Sequence, residues 1–172
     1  MRNLLIIDDN ESYLNQLEIG LHAKNLIVEK AVSGNIAWEL FQKNKYPVIV
    51  TDLKMKDSLD GLQLLEKVKK LSPETQVIII TAHGGEEEAI QSVNLHAFGY
   101  IQKGNRVSQT ISKLQDMVDK AFQEYEKNTG LVDWTEGLEN RERPKVSLDE
   151  IGSMLKKYPS LSDEVSRMRG NS

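Results

Sequence analysis

The chain has 172 residues, 39% of them apolar, which is room for one full domain with a real core and an appendage but not for two large domains. Lys and Arg number 22 against 26 Asp and Glu, so the formal charge of −4 gives no broad electrostatic reason to expect nucleic acid or anionic lipid as a partner. With no cysteine there is no disulfide framework, no thiolate metal site and no cysteine nucleophile, a composition that suits a reducing cytoplasm.

Leu4-Leu5-Ile6-Ile7 is a short apolar run ahead of Asp8-Asp9 and predicts the first strand. It is too short for a signal segment or a membrane span, and no later run comes close, so a soluble cytoplasmic protein is expected. Leu14, Leu17 and Leu21 share one face of a first helix, and Leu26 to Val32 reads as the second strand. Ser33-Gly34 precedes a second helix with Ile36, Ala37, Leu40 and Phe41 on its apolar face. Val48 to Val50 is the third strand, and Asp60-Gly61 opens a third helix carrying Leu62, Leu65 and Val68, which Ser72-Pro73 closes. Val77 to Ile80 is the fourth strand, and Gly84-Gly85 opens a loop before a fourth helix over Glu86 to Val93.

Phe98 to Ile101 is the fifth strand, and the fifth helix starts near Val107. Its apolar positions Val107, Ile111, Leu114, Val118, Ala121 and Tyr125 alternate steps of four and three. The first half should pack on the sheet, leaving the rest to project or meet a second chain. Residues 1–127 therefore form the expected domain, and 128–146, with Gly130, Gly137 and Pro144, read as linker. Residues 147–172 predict a short helical extension: Ser147 and Glu150 have capping-box spacing, and Leu161, Val165 and Met168 form a stripe after Pro159. Near-continuous apolar strands alternating with helices imply an α/β fold, a five-stranded parallel sheet sandwiched by five helices, with a small α-helical tail.

In an open parallel sheet, ligands bind beyond the carboxyl ends of the strands, so polar residues just after each apolar run converge there. Asp8 and Asp9 follow strand one, Thr51 and Asp52 strand three, Thr81 strand four and Lys103 strand five. Crowded carboxylates repel one another, and a hard divalent cation with oxygen ligands relieves this; Mg²⁺ fits, since it also accepts a phosphoryl oxygen while a lysine balances charge on another side. Each residue alone has a plain structural explanation as a cap, a strand end or a solvated lysine. Their ordered recurrence at four strand ends is what favours a site.

These residues resemble the receiver domains of two-component response regulators over roughly the first 125 residues. The likeness rests on Asp8-Asp9, on Val48 to Asp52 with Met55 and Asp60-Gly61, on Ile78 to Ala82, and on Phe98-Gly99-Tyr100-Ile101-Gln102-Lys103. The resemblance implies a flavodoxin-like strand order 2-1-3-4-5. It implies Asp52 as phosphoacceptor, and Mg²⁺ bound by Asp9, Asp52 and the Lys54 backbone carbonyl, with Asp8 acting through water. Thr81 and Lys103 would hold phosphoryl oxygens, and Tyr100 would be the aromatic switch whose rotamer follows Thr81. The implied partners are a histidine kinase or phosphotransfer protein and a downstream protein target, with a homodimer formed through helix four, strand five and helix five or through the long fifth helix. The only chemistry expected is Mg²⁺-dependent self-phosphorylation and dephosphorylation, without a separate catalytic output domain.

Several positions depart from the family pattern. Gly104 stands where proline usually follows the lysine, Lys56 replaces another usual proline, and the loop from Asp52 to Asp60 is one residue longer. Lys54 and His83 occupy positions that tune acyl-phosphate lifetime in the family. His22, His83 and His96 lack metal-ligand spacing. A phosphatase with an aspartate nucleophile would need a second aspartate where Lys54 stands, and a nucleotide or flavin binder would show a glycine-rich loop where Asp8-Asp9-Asn10-Glu11 stands. The remaining alternative is a DNA-binding response regulator using the C-terminal helices, where Glu150-Ile151-Gly152 and Leu155 loosely resemble the start of a helix-turn-helix. The near charge balance of the tail and the long spacing to Val165 argue against it.

Overall fold

A computed structural model describes residues 2–22, 26–56, 59–82 and 85–130. Five strands alternate with five helices along the chain: β1 (Arg2–Ile7), α1 (Glu11–Leu21), β2 (Leu26–Ala31), α2 (Gly34–Lys43), β3 (Val48–Thr51), α3 (Gly61–Leu71), β4 (Gln76–Thr81), α4 (Glu86–Asn94), β5 (Gly99–Gln102) and α5 (Val107–Thr129). The strands form one sheet in the order β2-β1-β3-β4-β5, and every pairing is parallel. The expected fold class and strand order are therefore observed.

Alternation within the strands divides the core into two layers, because successive side chains point to opposite faces of a sheet. Leu4, Ile6, Val48, Val50, Ile78, Ile80 and Ile101 meet Leu14, Leu17 and Leu21 of α1 and Leu114, Val118, Ala121 and Phe122 of α5. On the other face Leu5, Ile7, Ile49, Val77 and Ile79 meet Ala37 and Phe41 of α2 and Leu64, Leu65 and Val68 of α3. The central strands carry near-continuous apolar runs because both faces are covered. Each buried Leu, Ile or Val contributes about 1.5–3 kcal/mol relative to an exposed one.

Helix faces differ from the sequence expectation in places. In α2 the expected Ala37 and Phe41 are buried, with Gly34, whereas Ile36 is 44% exposed. In α3 Leu64 is buried beside Leu65 and Val68, whereas Leu62 is only partly covered. The second half of α5 does not project through its fifth turn: Phe122, outside the heptad stripe, is fully buried. The Arg2 guanidinium lies 5.3 Å above the Phe122 ring and 3.2 Å from Glu126, tying this part of α5 to β1. The helix then runs to Thr129 and closes on Gly130, at φ +67, a left-handed geometry that suits glycine. The expected boundary after 127 thus falls in its last turn. Most of the 128–146 linker, the 147–172 extension and His83 lie outside the described residues. Among the described residues no helix is long and apolar enough to cross a membrane.

Candidate functional site

Backbone hydrogen bonds carry the sheet past its formal ends and set where the polar side chains emerge. Asp8 N–H donates to the Ala31 carbonyl at 3.2 Å, Asp52 N–H to the Ile7 carbonyl at 2.8 Å, and Lys103 N–H to the Thr81 carbonyl at 2.8 Å. Asp8, Asp52, Thr81 and Lys103 therefore belong to the rigid rim of the sheet rather than to free loops. Behind Asp52 stands Gly61, at the start of α3: a Cβ there would lie 2.2 Å from the Asp52 carbonyl oxygen, so only glycine permits this approach of helix to strand end.

The first helix is capped by Asn10, whose side chain accepts from Tyr13 N–H at 3.1 Å. Asp8 Oδ1 accepts from Asn10 N–H at 2.8 Å and steadies that turn. Asp9 is left with its carboxylate directed to the rim, where one oxygen each from Asp8, Asp9 and Asp52 lie within 4.8 Å of one another. Asp8 is 2% exposed and Asp52 7%, whereas Asp9 is open to solvent in part. Like charges this close and this poorly hydrated repel strongly unless cations intervene.

Two lysines supply part of the compensation. Lys103 Nζ is 2.6 Å from Asp8 Oδ2 and 3.3 Å from Asp52 Oδ1, and lies 4.4 Å from the centre of the Tyr13 ring. Lys56 Nζ is 3.2 Å from Asp9 Oδ2, although its side chain is 89% exposed. Three carboxylates against these two ammonium groups leave the rim negative. Asp52 Oδ1 is buried and accepts no hydrogen bond, so its contact with Lys103 is an ion pair without hydrogen-bond geometry. Burial pushes the Asp52 carboxyl above its ordinary value; the nearby Lys103 opposes this and Asp8 reinforces it. Tyr13 is pushed up to about 12 by burial and by the negative charges of Asp8 and Asp52.

The orphaned Asp52 oxygen and an all-carboxylate donor set fit a hard divalent cation, which takes oxygen ligands and would relieve the repulsion. Among the described residues this is the acidic cluster with the geometry for a metal ion. The structure brings together Asp8, Asp9, Asp52 and Lys103, and it sets Thr81, buried, at the end of β4 beside them. Tyr100 is half-buried against the α3 and α4 side, its hydroxyl enclosed without a hydrogen-bond partner. Burial, then the negative charges of Glu88 and Asp52, raise its pKa. The Lys54 ammonium pairs with Glu88 of α4 at 3.5 Å.

Sequence reasoning did not single out Tyr13, although an aromatic residue in the first turn after a strand-end acidic pair is a usable signal. Lys56 has no carboxylate partner legible in the sequence, because its contact with Asp9 depends on how the β3–α3 loop folds back.

A family model described as response regulator receiver domain matches residues 4–115. Transcriptional regulatory protein GlrR of Escherichia coli K12 is 32% identical over 101 residues, which cover 59% of this chain and 22% of that protein. DNA-binding transcriptional regulator NtrC of Klebsiella pneumoniae is 30% identical over 121 residues, 70% of this chain and 25% of that protein. The match thus spans about a quarter or less of the length of these curated relatives. Among solved structures, a receiver domain protein from Clostridium thermocellum superposes with a TM-score of 0.66 at 28% identity, over 77% of this chain and 100% of that one. The beryllofluoride-activated NtrC4 receiver domain dimer gives a TM-score of 0.64 at 29% identity, over 73% of this chain and 99% of that one.

Proposed function

The chain belongs to the response regulator receiver domain family, and on that footing we propose that it takes up a phosphoryl group on Asp52, with Mg²⁺ bound beside it, and passes the signal on through altered protein contacts. The donor would be a phosphohistidine on a histidine kinase or phosphotransfer protein in the cytoplasm. The observation that carries this reading is the buried, unbonded Asp52 Oδ1 next to Asp8, Asp9 and Lys103.

Asp9, Asp52 and the Lys54 carbonyl would hold Mg²⁺ directly, and Asp8 through water. When bound, the cation supplies charge neutralisation at the carboxylates and at the incoming phosphoryl oxygens. The chain does the rest by position. An Asp52 carboxylate oxygen forms the new bond to phosphorus as the bond from phosphorus to the donor nitrogen breaks in line with it. Lys103 moves its charge from Asp52 toward a phosphoryl oxygen while Asp8 keeps hold of its ammonium, and the Thr81 hydroxyl turns to a second oxygen. A phosphoryl group adds about −1.5 to −2 charge at neutral pH. That charge draws Thr81 inward and changes the space available to Tyr100, so the altered surface would be the face of α4, β5 and α5.

That face carries a concavity of about 520 Å³ lined by Phe98, Tyr100, Ile101, Met117 and Lys113 among others, and α4 exposes Ile90 and Val93. It is the surface we assign to homodimerisation or to a protein target, with residues 128–172 as an extension of the domain. The DNA-binding alternative rests on that extension and on the names of the relatives, which describe those proteins; no observation among the described residues favours it. A salt-dependent DNA titration of the full chain addresses it directly.

The deciding experiment is titration with acetyl phosphate or beryllofluoride in the presence of Mg²⁺, comparing wild type with Asp52→Asn by intact mass and by amide chemical shifts. Wild type should gain one acid-labile phosphoryl group or one beryllofluoride, and the variant none. Equal modification of both, or of neither, refutes the assignment of Asp52.

A further inference from the structure

Lys103 has its ammonium end well defined, between Asp8 Oδ2 at 2.6 Å, Asp52 Oδ1 at 3.3 Å and the Tyr13 ring at 4.4 Å. Its backbone end lies one residue beyond β5, at the start of the loop that leads to α5. A lysine side chain is a flexible four-carbon stem, so freedom at the Cα passes undiminished to the charge. Two consecutive N–H groups remove that freedom. Lys103 N–H extends the β4–β5 ladder to the Thr81 carbonyl at 2.8 Å, and Gly104 N–H donates to Thr110 Oγ1 at 3.0 Å. The first bond ties the lysine to the sheet, and the second ties the next residue to the first turn of α5.

Gly104 is not there for its backbone freedom. Its φ is not positive, and a Cβ added to it would meet Gln109, Thr110 and Arg106 only at 3.8–4.0 Å, ordinary contact distances. What the fold uses at this position is the N–H, which every residue except proline provides. Thr110 is the complementary half: it is 2% exposed, it faces the core among apolar residues of α5, and its hydroxyl oxygen is the acceptor. A buried hydroxyl on an otherwise apolar stripe is costly unless it is bonded.

We infer that Thr110 is a positioning residue for phosphoryl transfer, its hydroxyl holding Gly104 N–H so that Lys103 meets the acidic rim at a fixed place. The inference rests on the receiver reading of Asp52 and Lys103. Thr110 touches neither phosphoryl group nor metal. Its effect is on where the Lys103 charge sits, and a displacement of about 1 Å at a reacting centre can cost about 100-fold in rate.

The test compares wild type with Thr110→Val, which keeps the shape and loses the acceptor, and Thr110→Ser, which keeps the acceptor. Gly104 amide hydrogen exchange, measured by NMR without phosphodonor, should be slow in wild type and in the serine variant and fast in the valine variant. Phosphorylation by acetyl phosphate at saturating Mg²⁺ should fall about tenfold in Thr110→Val and recover to within about twofold in Thr110→Ser, with Mg²⁺ affinity unchanged in all three. If Thr110→Val does not fold, Thr110→Ala serves as the hydroxyl-free variant. Wild-type rates in the valine variant, or equal losses in valine and serine variants, overturn the inference while leaving the receiver reading intact. A wild type that takes up no phosphoryl group, with Gly104 protected as described, overturns the receiver reading and this inference with it.

Discussion

Asp52 sits where a carboxylate charge is poorly compensated: burial raises its pKa above the ordinary 3.8 despite Lys103, and one oxygen has no hydrogen bond. A carboxyl that binds its proton more tightly in the folded than in the unfolded state loses stability as pH rises from the unfolded pKa through the folded one, and the penalty is complete above the latter. Asp52→Asn should therefore stabilise the metal-free protein at neutral pH, by on the order of 1 kcal/mol, and the gain should disappear at acidic pH where both forms are neutral. Thermal melts of the two proteins across pH, with chelator present, check the sign. Mg²⁺ should raise the wild-type melting temperature and leave the variant nearly unmoved. Lys56 supplies a second residue-level test. Its ammonium sits 3.2 Å from Asp9 on a highly exposed side chain, so it competes with a cation there but weakly. Lys56→Gln should tighten Mg²⁺ binding by less than about fivefold, an effect that calorimetric titration should find smaller as salt is raised.

Two helices govern how firmly the rim is built. The start of α3 is a capping box, with Asp60 accepting from Gln63 N–H at 2.8 Å and Gln63 accepting from Asp60 N–H at 3.2 Å, and Gly61 follows against the Asp52 carbonyl. Asp60→Ala should cost about 1 kcal/mol as a lost cap. Gly61→Ala should cost about 3 kcal/mol, because the new methyl meets backbone that cannot yield without moving Asp52. Urea denaturation measures both, and Gly61→Ala should additionally slow phosphorylation where Asp60→Ala does not. On the other layer, Phe122 fastens the far end of α5 beneath the Arg2 guanidinium. Phe122→Ala should lose about 3–5 kcal/mol of stability, a cavity cost that the fifth turn of a projecting helix would not show.

For the whole molecule, α4 exposes Ile90 and Val93, the latter to 67%, and β5 and α5 enclose a concavity. If this face is where activated protomers meet, beryllofluoride with Mg²⁺ should raise the mass seen by light scattering. Val93→Glu should block that rise and leave beryllofluoride binding at Asp52 unchanged. Much of this molecule can be read along the chain. The apolar runs fixed the five strands, the i, i+3 and i+4 spacings fixed most helix faces, and Asp60-Gly61 marked the start of α3, because these are properties of neighbouring residues obeying the periods of strand and helix. Asp8, Asp9, Asp52, Thr81 and Lys103 were also recognisable as strand-end residues. What the linear pattern could not contain is what each side chain finds once residues as far apart as Asp8 and Lys103, 95 positions, are brought together. Only the folded sheet puts the Lys103 ammonium on Asp8, its flank on the Tyr13 ring and the Gly104 N–H on Thr110, and only there is Asp52 the carboxylate left with an unbonded oxygen. Periodicity is a local property, whereas burial and charge compensation belong to the three-dimensional surroundings, and it is these that set the state of an ionisable group.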